Sequence, residues 1–519
     1  MKSSIQFIKS ATKSKTLTSP IRFPPSLLNR VSTANDPRSS IVPILDTWIH
    51  EGNPVTKEQL QSLISTMRKF NRPQHALQIT QWMTDQRYFD LNASDVAVRL
   101  KLIYNVHGLE HTEKYFNNLS INFKVVETYG ALLDCYAREK LVDKAEAILQ
   151  EMNTMGFVIS SFPYNSLISL YAQTGQQEKI DTLLLEMEKK GIPQDTYTIN
   201  ILMSYAAASD ITGMEQILNS TDNPNILVDW SSYAIAAEGY LKVGLTDKAF
   251  EMLKKIEDLT PKNRKNKVSD SLLTLYAKIG KKDDVYRIWS SYKFAKREKR
   301  SLFSHSASHA RMISSLDKLG DIEGAEKIFK DWVSLYGDYH YRVLNQLMSV
   351  YCKKQLLEKA EAIIQKALES GTSIYASTWN ILTMGYISDK QMSKGVEAFK
   401  KALLAGGERW KPSPATVATY LEYFEVGKDV NGAEDFVELL GISGFLTREM
   451  YHKLLRIYIT ANKPVSRVLD LMKANGFSVD DEAHKILLEL SETEEHPLMI
   501  DRLGLCGRKF VNGAFSDYE

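Results

Sequence analysis

Apolar residues recur along this chain at helical spacing. In residues 161–195, Tyr164, Leu167, Ile168 and Tyr171 fall at i, i+3, i+4 and i+7, which makes one apolar stripe. Gly175 then signals a turn. Ile180, Leu183, Leu184 and Met187 form a second stripe, closed by Gly191-Ile192-Pro193. The unit therefore predicts two helices joined by a short turn, each with one buried face.

The unit repeats. Thr128-Tyr129-Gly130-Ala131-Leu132-Leu133 aligns with Pro163-Tyr164-Asn165-Ser166-Leu167-Ile168, with Ser232-Tyr233-Ala234-Ile235 and with Thr378-Trp379-Asn380-Ile381-Leu382. An aromatic follows each run (Tyr136, Tyr171, Tyr240, Tyr386). A small residue then sits inside the second stripe of its unit (Ala145, Ala249, Ala325, Ala360). These landmarks place repeat starts near 57, 92, 126, 161, 196, 230, 266, 306, 341, 376, 414, 447 and 481, with spacings of 35, 35, 34 and 36 between 126 and 266. One helical hairpin cannot bury both of its stripes. Stacking on its neighbours does, so the pattern predicts an all-α solenoid of about 12 helix–turn–helix repeats of about 35 residues, stabilised by nearest-neighbour interfaces. The tyrosines and methionines of the stripes are expected in the core.

Composition narrows the function more than the fold. The 519 residues hold 44% apolar and 25% charged residues and only 15 prolines, an ordinary folded composition that favours helix. Cys135, Cys352 and Cys506 have no metal-ligand spacing, which excludes a disulfide scaffold and a cysteine-rich zinc protein. No apolar run is long enough to span a bilayer. Net charge is +2, but residues 1–40 carry seven basic residues, one acid, nine serines and four threonines, so the body beyond residue 40 is slightly acidic. A basic, serine-rich, acid-poor leader has the signature of an organelle transit peptide, and its scattered arginines favour the mitochondrion over the chloroplast. The expected organisation is a disordered transit peptide at 1–40, divergent repeats at 41–125, a central array at 126–413, degenerate repeats at 414–495 and a tail at 496–519.

Candidate chemistry is sparse. The i, i+4 histidine pairs His107/His111 and His305/His309 lack a clear third ligand, and the first carries its glutamate at the wrong position for a zinc protease. Gly280-Lys281 has no glycine-rich loop upstream, and the C-terminus lacks the paired signature of a zinc deaminase. No enzyme, metal site or cofactor is expected.

The landmark order Thr-Tyr-x-x-Leu-Leu, Tyr, Gly, Ala, Met, Gly and then Pro-x-Asp, best formed in Val126–Ser160 and Ser161–Asp195, resembles the pentatricopeptide repeat (PPR) family over roughly residues 55–490. The run from Trp48 through Trp82-Met83 and Tyr115-Phe116 to Thr128–Leu133 is similar to a plant mitochondrial subgroup of plain repeats. The resemblance implies a right-handed superhelix that holds single-stranded RNA, about one base per repeat, read by two or three side chains of each repeat.

It assigns base reading to the fifth and last residues of a repeat and base sandwiching to the second. These roles fall on Asn165, Asp195 and Phe162 in the repeat at 161, and on Asn200, Asp229 and Tyr197 in the repeat at 196. The Asn/Asp pair is similar to the family's pyrimidine choice, with uracil preferred. Asn345 and Asn380 also fit the fifth position, whereas Gly130, Ala234, Asp270 and Ala310 do not. Two basic clusters, Lys262, Arg264, Lys265 and Lys267, and then Lys296 and Arg297, are candidates for RNA phosphate contacts. The expected function is an organellar RNA-binding adaptor in transcript processing, stability or translation, acting by base readout and steric occupancy. The alternative is a structural subunit of the mitochondrial ribosome or another ribonucleoprotein, contacting rRNA and neighbouring proteins. Neither needs a small-molecule substrate or membrane insertion.

Overall fold

The computed structural model describes residues 26–33, 40–85, 89–219, 228–260, 265–294, 302–406 and 410–491. Among these residues all regular structure is helical. Two short helices, Leu27–Thr33 and Val42–His50, precede twelve helical pairs and one further helix, Asp481–Ser491. The first helices of the pairs begin at Lys57, Ala93, Val126, Ser161, Thr196, Trp230, Lys265, Leu302, Tyr341, Ala376, Pro414 and Arg448. The expected repeats are thus present within one residue, except at 306, where the helix starts a turn early at Leu302. The helix Leu27–Thr33 lies inside the segment expected to be disordered. Leu27 and Val31 are buried, so that expectation is corrected over these seven residues.

One turn sets the register. In ten pairs the fifteenth residue of the repeat has a positive φ near +50 to +85°: Asn71, Lys140, Gly175, Gly244, Gly280, Gly320, Gln355, Lys390, Lys428 and Asn462. Gly320 keeps the eighth repeat starting at 306, despite the longer helix, and Asn462 moves the twelfth to Arg448. Gly175 occupies this left-handed region without a Cβ penalty. The non-glycine residues accept the strain because an exposed turn needs only one such residue.

The described residues divide into two compact units between Leu347 and Met348. In the first unit, consecutive first helices pack on one another from Ala93–His107 through Leu302–Lys318 and form a continuous layer. The buried cluster from Leu100 to Met187 joins three repeats and includes Tyr129, Tyr136, Tyr164 and Tyr171, which confirms the stripes as core. In the second unit a cluster from Val396 to Leu487 is built around Phe399, Tyr420 and Phe436.

A recurrent polar clasp closes several of the joints within each unit. The Tyr136 hydroxyl donates to Glu113 of the preceding repeat at 2.9 Å, and Lys144 of its own repeat pairs with the same carboxylate at 2.8 Å. Tyr171, Glu146 and Lys179 repeat the arrangement at 2.7 and 2.6 Å. Tyr240, Glu215 and Lys248 do so again, and in the second unit Tyr386, Glu361 and Lys394, and then Tyr458, Glu434 and Arg467. Each lysine also lies 5.2–5.7 Å above the ring of its tyrosine. Burial, then donation to Glu146, holds the Tyr171 phenol well above its usual value. Lys179, then Tyr171, holds Glu146 below the usual carboxylate range. The tyrosine therefore stays protonated and the glutamate ionised, as a charge-assisted hydrogen bond needs.

Each clasp has an unequal pair of bonds, which sets a test. Tyr171 is buried, and a hydrogen bond to a charged acceptor contributes about 1.5–3 kcal/mol. Lys179 and Glu146 are both more than a third exposed, so their ion pair contributes about 0.2–1 kcal/mol. Tyr171→Phe is expected to cost at least twice as much stability as Lys179→Met in denaturant unfolding. Equal costs would show that the ion pair, and not the phenol, makes the joint.

His340 is buried and neutral. It stacks on Tyr341, its Nδ1 accepts the Arg342 amide at 3.3 Å, and the Arg342 and Arg72 guanidinium groups lie close by. Burial, then those two positive charges, depresses its pKa from 6.5 to about 3. The unfolded chain therefore takes up a proton below pH 6.5 that the folded chain refuses. The stabilisation is complete above pH 6.5 and is lost as pH falls from 6.5 toward 3. Between pH 7.0 and 5.5, wild type is expected to lose about 1 kcal/mol more stability than His340→Gln. Matching losses in the two proteins would contradict a neutral, buried His340.

Candidate nucleic-acid interface

The layer of first helices presents the two expected stacking residues to solvent. Phe162 is 46% exposed and Tyr197 is 60% exposed, among the largest apolar groups left uncovered. Both occupy the second position of a first helix, one turn before the fifth-position asparagines. The Phe162 ring lies across Gly130, where an added Cβ would stand 2.7 Å from the ring, and the Lys101 ammonium sits 5.5 Å above it. Gly130 therefore departs from the family's fifth-position choices for a packing reason: the ring of the next repeat occupies the space.

The residues expected to read bases are arranged differently from those expected to stack on them. Asn165 is only 2% exposed. Its Nδ2 donates to Asp195 at 3.1 Å, and its Oδ1 accepts the Thr198 hydroxyl at 2.7 Å. Asp195 caps the helix Thr196–Ser209 through the Thr198 amide and accepts the Ser161 hydroxyl at 2.6 Å. Burial opposes ionisation of Asp195, but the bonds from Ser161, Thr198 and Asn165 outweigh it and hold the carboxyl below the usual range. The repeat at 196 replaces the direct bond with a bridge. Asn200 donates to Ser231 at 2.8 Å and accepts Ser232 at 2.7 Å, while Ser231 donates to Asp229, the cap of the next first helix. An amide has two donor hydrogens and two acceptor sites, so each asparagine keeps one of each after these bonds. The aromatics form the accessible platform, and the Asn/Asp pairs form its floor.

The remaining expected positions fall in less uniform settings. Asn345 is half-buried on the helix Tyr341–Lys353. Asn380 is half-buried, and its Oδ1 is enclosed without a hydrogen-bond donor among the described residues. Lys262, Arg264, Lys296 and Arg297 lie outside the described residues, as do the side chains of Lys265 and Lys267.

Two groups escaped the sequence reading. Arg448 as the first residue of the twelfth repeat makes His452 the fifth. His452 Nε2 meets Asp480 at 2.9 Å, and Asp480 caps the next first helix through the Ala483 amide. This matches the Asn165–Asp195 arrangement, and the signal was the aspartate just before a new apolar stripe. The second group is a polar cleft of about 610 Å³ lined by Ser65, Arg68, Lys69, Asn71, Asn105 and Arg138. Its cations end the first helices Lys57–Lys69 and Val126–Arg138, with Asn105 of the first helix between them, and Arg68, Lys69 and Arg138 are all exposed. Arg68 and Lys69 have no carboxylate within ion-pair distance among the described residues, whereas Arg138 lies 3.4 Å from Asp134. The residues lie up to 73 positions apart, so only the repeat register brings them together.

No group of three metal-ligating side chains is present among the described residues, and no described helix is long and apolar enough to cross a membrane. His305 and His309 are buried, with His309 between Trp289 and Trp332 in an aromatic cluster.

Comparison with known proteins places these features. The profile described as PPR repeat family matches residues 159–207, which hold Phe162, Asn165, Asp195, Tyr197 and Asn200. The profile described as PPR repeat matches 127–157, 231–259, 342–372 and 377–406. The chain is 36% identical over 443 residues to the mitochondrial pentatricopeptide repeat-containing protein At2g20710 of Arabidopsis thaliana, covering 85% of this chain and 89% of that one. It is also 36% identical over 454 residues to the large ribosomal subunit protein mL101 (rPPR4) of Arabidopsis thaliana, covering 86% and 91%. Among solved structures, PPR10 from maize is similar at 17% identity and a TM-score of 0.38, covering 90% of this chain and 71% of that one. Repeat profiles that fall on the helical pairs, and identity above 30% over more than four fifths of the chain, establish that this protein is a member of the pentatricopeptide repeat family.

Proposed function

We propose that this chain is a mitochondrial adaptor for single-stranded RNA that acts in transcript processing, stability or translation by occupying its target strand. The observation that carries this reading is the pair of exposed aromatics, Phe162 and Tyr197, each set above an Asn/Asp floor in adjacent repeats of an RNA-binding family. Bases stack on the aromatic faces, the free amide donor and acceptor of half-buried Asn200 meet a base edge, and recessed Asn165 reads its base from the floor beneath Phe162 once a strand draws near. Asn345, Asn380 and His452 with Asp480 are the further reading positions. Arg68, Lys69 and Arg138 supply a phosphate track beside the first repeats. The mitochondrial location follows the basic, serine-rich leader and relatives described as mitochondrial.

A second reading is favoured by one observation. The chain is 36% identical to mL101, a protein of the large ribosomal subunit, over more than four fifths of its length. In that reading the same surfaces hold ribosomal RNA and neighbouring proteins, and the strand is a fixed component of a particle. Crosslinking in intact mitochondria, with the bound RNA sequenced, separates the two. Sharp footprints on one or a few transcripts support the adaptor, and reads confined to ribosomal RNA support the subunit.

Binding experiments with oligouridylate test the surface itself. Phe162→Ala and Tyr197→Ala are each expected to weaken binding about 5-fold to 150-fold, the range for losing one stacked base; thermal stability is expected to stay unchanged for Tyr197→Ala, whose side chain is 60% exposed, and to fall slightly for Phe162→Ala, whose ring packs on Gly130. Asn165→Ala is expected to lose stability as well, since it strands buried bonds to Thr198 and Asp195. Unaltered affinity in the Phe162 and Tyr197 variants would remove the platform from the RNA site. Replacing Arg68 and Lys69 with Gln should flatten the plot of log affinity against log salt by about 1.4, two phosphate contacts at about 0.7 each. An unchanged slope would place the strand elsewhere.

A further inference from the structure

The second position of a first helix is an open platform in the repeats at 161 and 196. It is occupied in the repeats at 306 and 341, and the occupant is the N-terminal part of the same chain. The helix Leu27–Thr33 packs against the helix Leu302–Lys318. Leu27 and Val31 are buried in the N-terminal cluster, and Ala307, the second residue of the repeat at 306, packs against that same cluster.

One repeat further on, the second residue is Arg342. Its Nη2 donates to the Phe70 carbonyl at 3.2 Å across 272 residues of sequence, and its guanidinium lies 5.5 Å from the centre of the Phe70 ring. Arg72, nearly fully buried, reaches back to the Tyr341 ring at 6.0 Å. The turn at Asn71 that carries these groups adjoins Arg68 and Lys69 of the polar cleft. Apolar burial at Ala307 and a charge-assisted hydrogen bond at Arg342 thus engage two successive stacking positions at once. The contacts are of different chemical kinds, so one incidental apolar patch does not explain both.

We propose that the leader ends before Leu27, and that the helix Leu27–Thr33 and the turn around Phe70 form an intramolecular latch over the stacking positions of the repeats at 306 and 341. A strand bound to this unit then reads only the repeats between the latched ends until the latch opens. The reading-length consequence rests on the RNA-binding function proposed above, whereas the docking contact does not.

Two variants of the full chain test both parts: Val31→Asp, which places a charge in the apolar contact, and Arg342→Ala, which removes the clamp without disturbing the core. Hydrogen–deuterium exchange reads the docking. Val31→Asp is expected to raise exchange at least tenfold in amides of the helix Leu302–Lys318, with the helix Ser161–Thr174 unchanged. Unchanged exchange in Leu302–Lys318 overturns the latch, because fraying of an N-terminal helix by itself would not reach that segment. Oligouridylates of 8 and 16 nucleotides read the consequence. Wild type is expected to bind the two with similar affinity, and either variant to bind the longer at least fivefold more tightly. Faster exchange with no gain for the longer strand overturns the latch in favour of a static brace. Faster exchange in proteins that bind neither RNA supports the docking contact and overturns the RNA reading.

Discussion

A tyrosine hydroxyl that reaches back to a carboxylate of the preceding repeat is the interaction on which this architecture depends. Apolar stripes bring two helical hairpins together, but apolar contact is non-directional and tolerates rotation and sliding. The Tyr136–Glu113 and Tyr171–Glu146 bonds have a length and a direction, and each joins one repeat to the last. The lysine above each ring pairs with the glutamate and helps to keep it ionised. Where it recurs, such a joint restrains the angular step from one first helix to the next. That step decides whether the second-position side chains form a line at the spacing of successive bases.

Much of the fold was legible in the sequence because repetition multiplies a weak signal. A single run such as Thr128–Leu133 is ambiguous, whereas thirteen starts near one spacing are not. The left-handed turn was legible where it is glycine, as at Gly175, and hidden where Lys140, Gln355 or Lys390 takes the same backbone conformation. The clasp was half legible. Its tyrosines stand out as an aromatic landmark, but Glu113 and Glu146 look like ordinary surface charge on a second helix. Their role depends on a neighbour about 25 residues later. The helix Leu27–Thr33 was hidden for another reason. Its composition suits a leader, and only its burial against a helix some 275 residues away reveals a structural part.

The candidate site divides the same way. Phe162, Asn165, Asp195, Tyr197 and Asn200 were found by position within the repeat, and the structure places them on one face in adjacent repeats. Position alone did not reveal that Asn165 is recessed while Phe162 is presented, since that difference arises from Thr198 and Gly130 in neighbouring repeats. His452 was missed by one residue of register. Arg68, Lys69 and Arg138 were missed because a cleft has no local sequence signature. Its members are far apart in the chain, and each alone looks like a solvated helix end.

The slightly acidic body suggested a surface poorly matched to a polyanion, and the placement of charge changes that conclusion. Glu113, Glu146, Glu215, Glu361 and Glu434 accept at inter-repeat clasps, each already paired with a lysine or arginine. Asp195 and Asp229 are engaged as helix caps. Counted over the whole chain these carboxylates cancel the lysines, yet they do so locally, at the joints, away from the strand path proposed above. Arg68 and Lys69 stand apart from that pairing. Net charge therefore reports the cost of holding many repeats in register more than it reports the field along the platform. For an array of this kind, affinity for RNA has to be judged from which cations the joints leave unpaired.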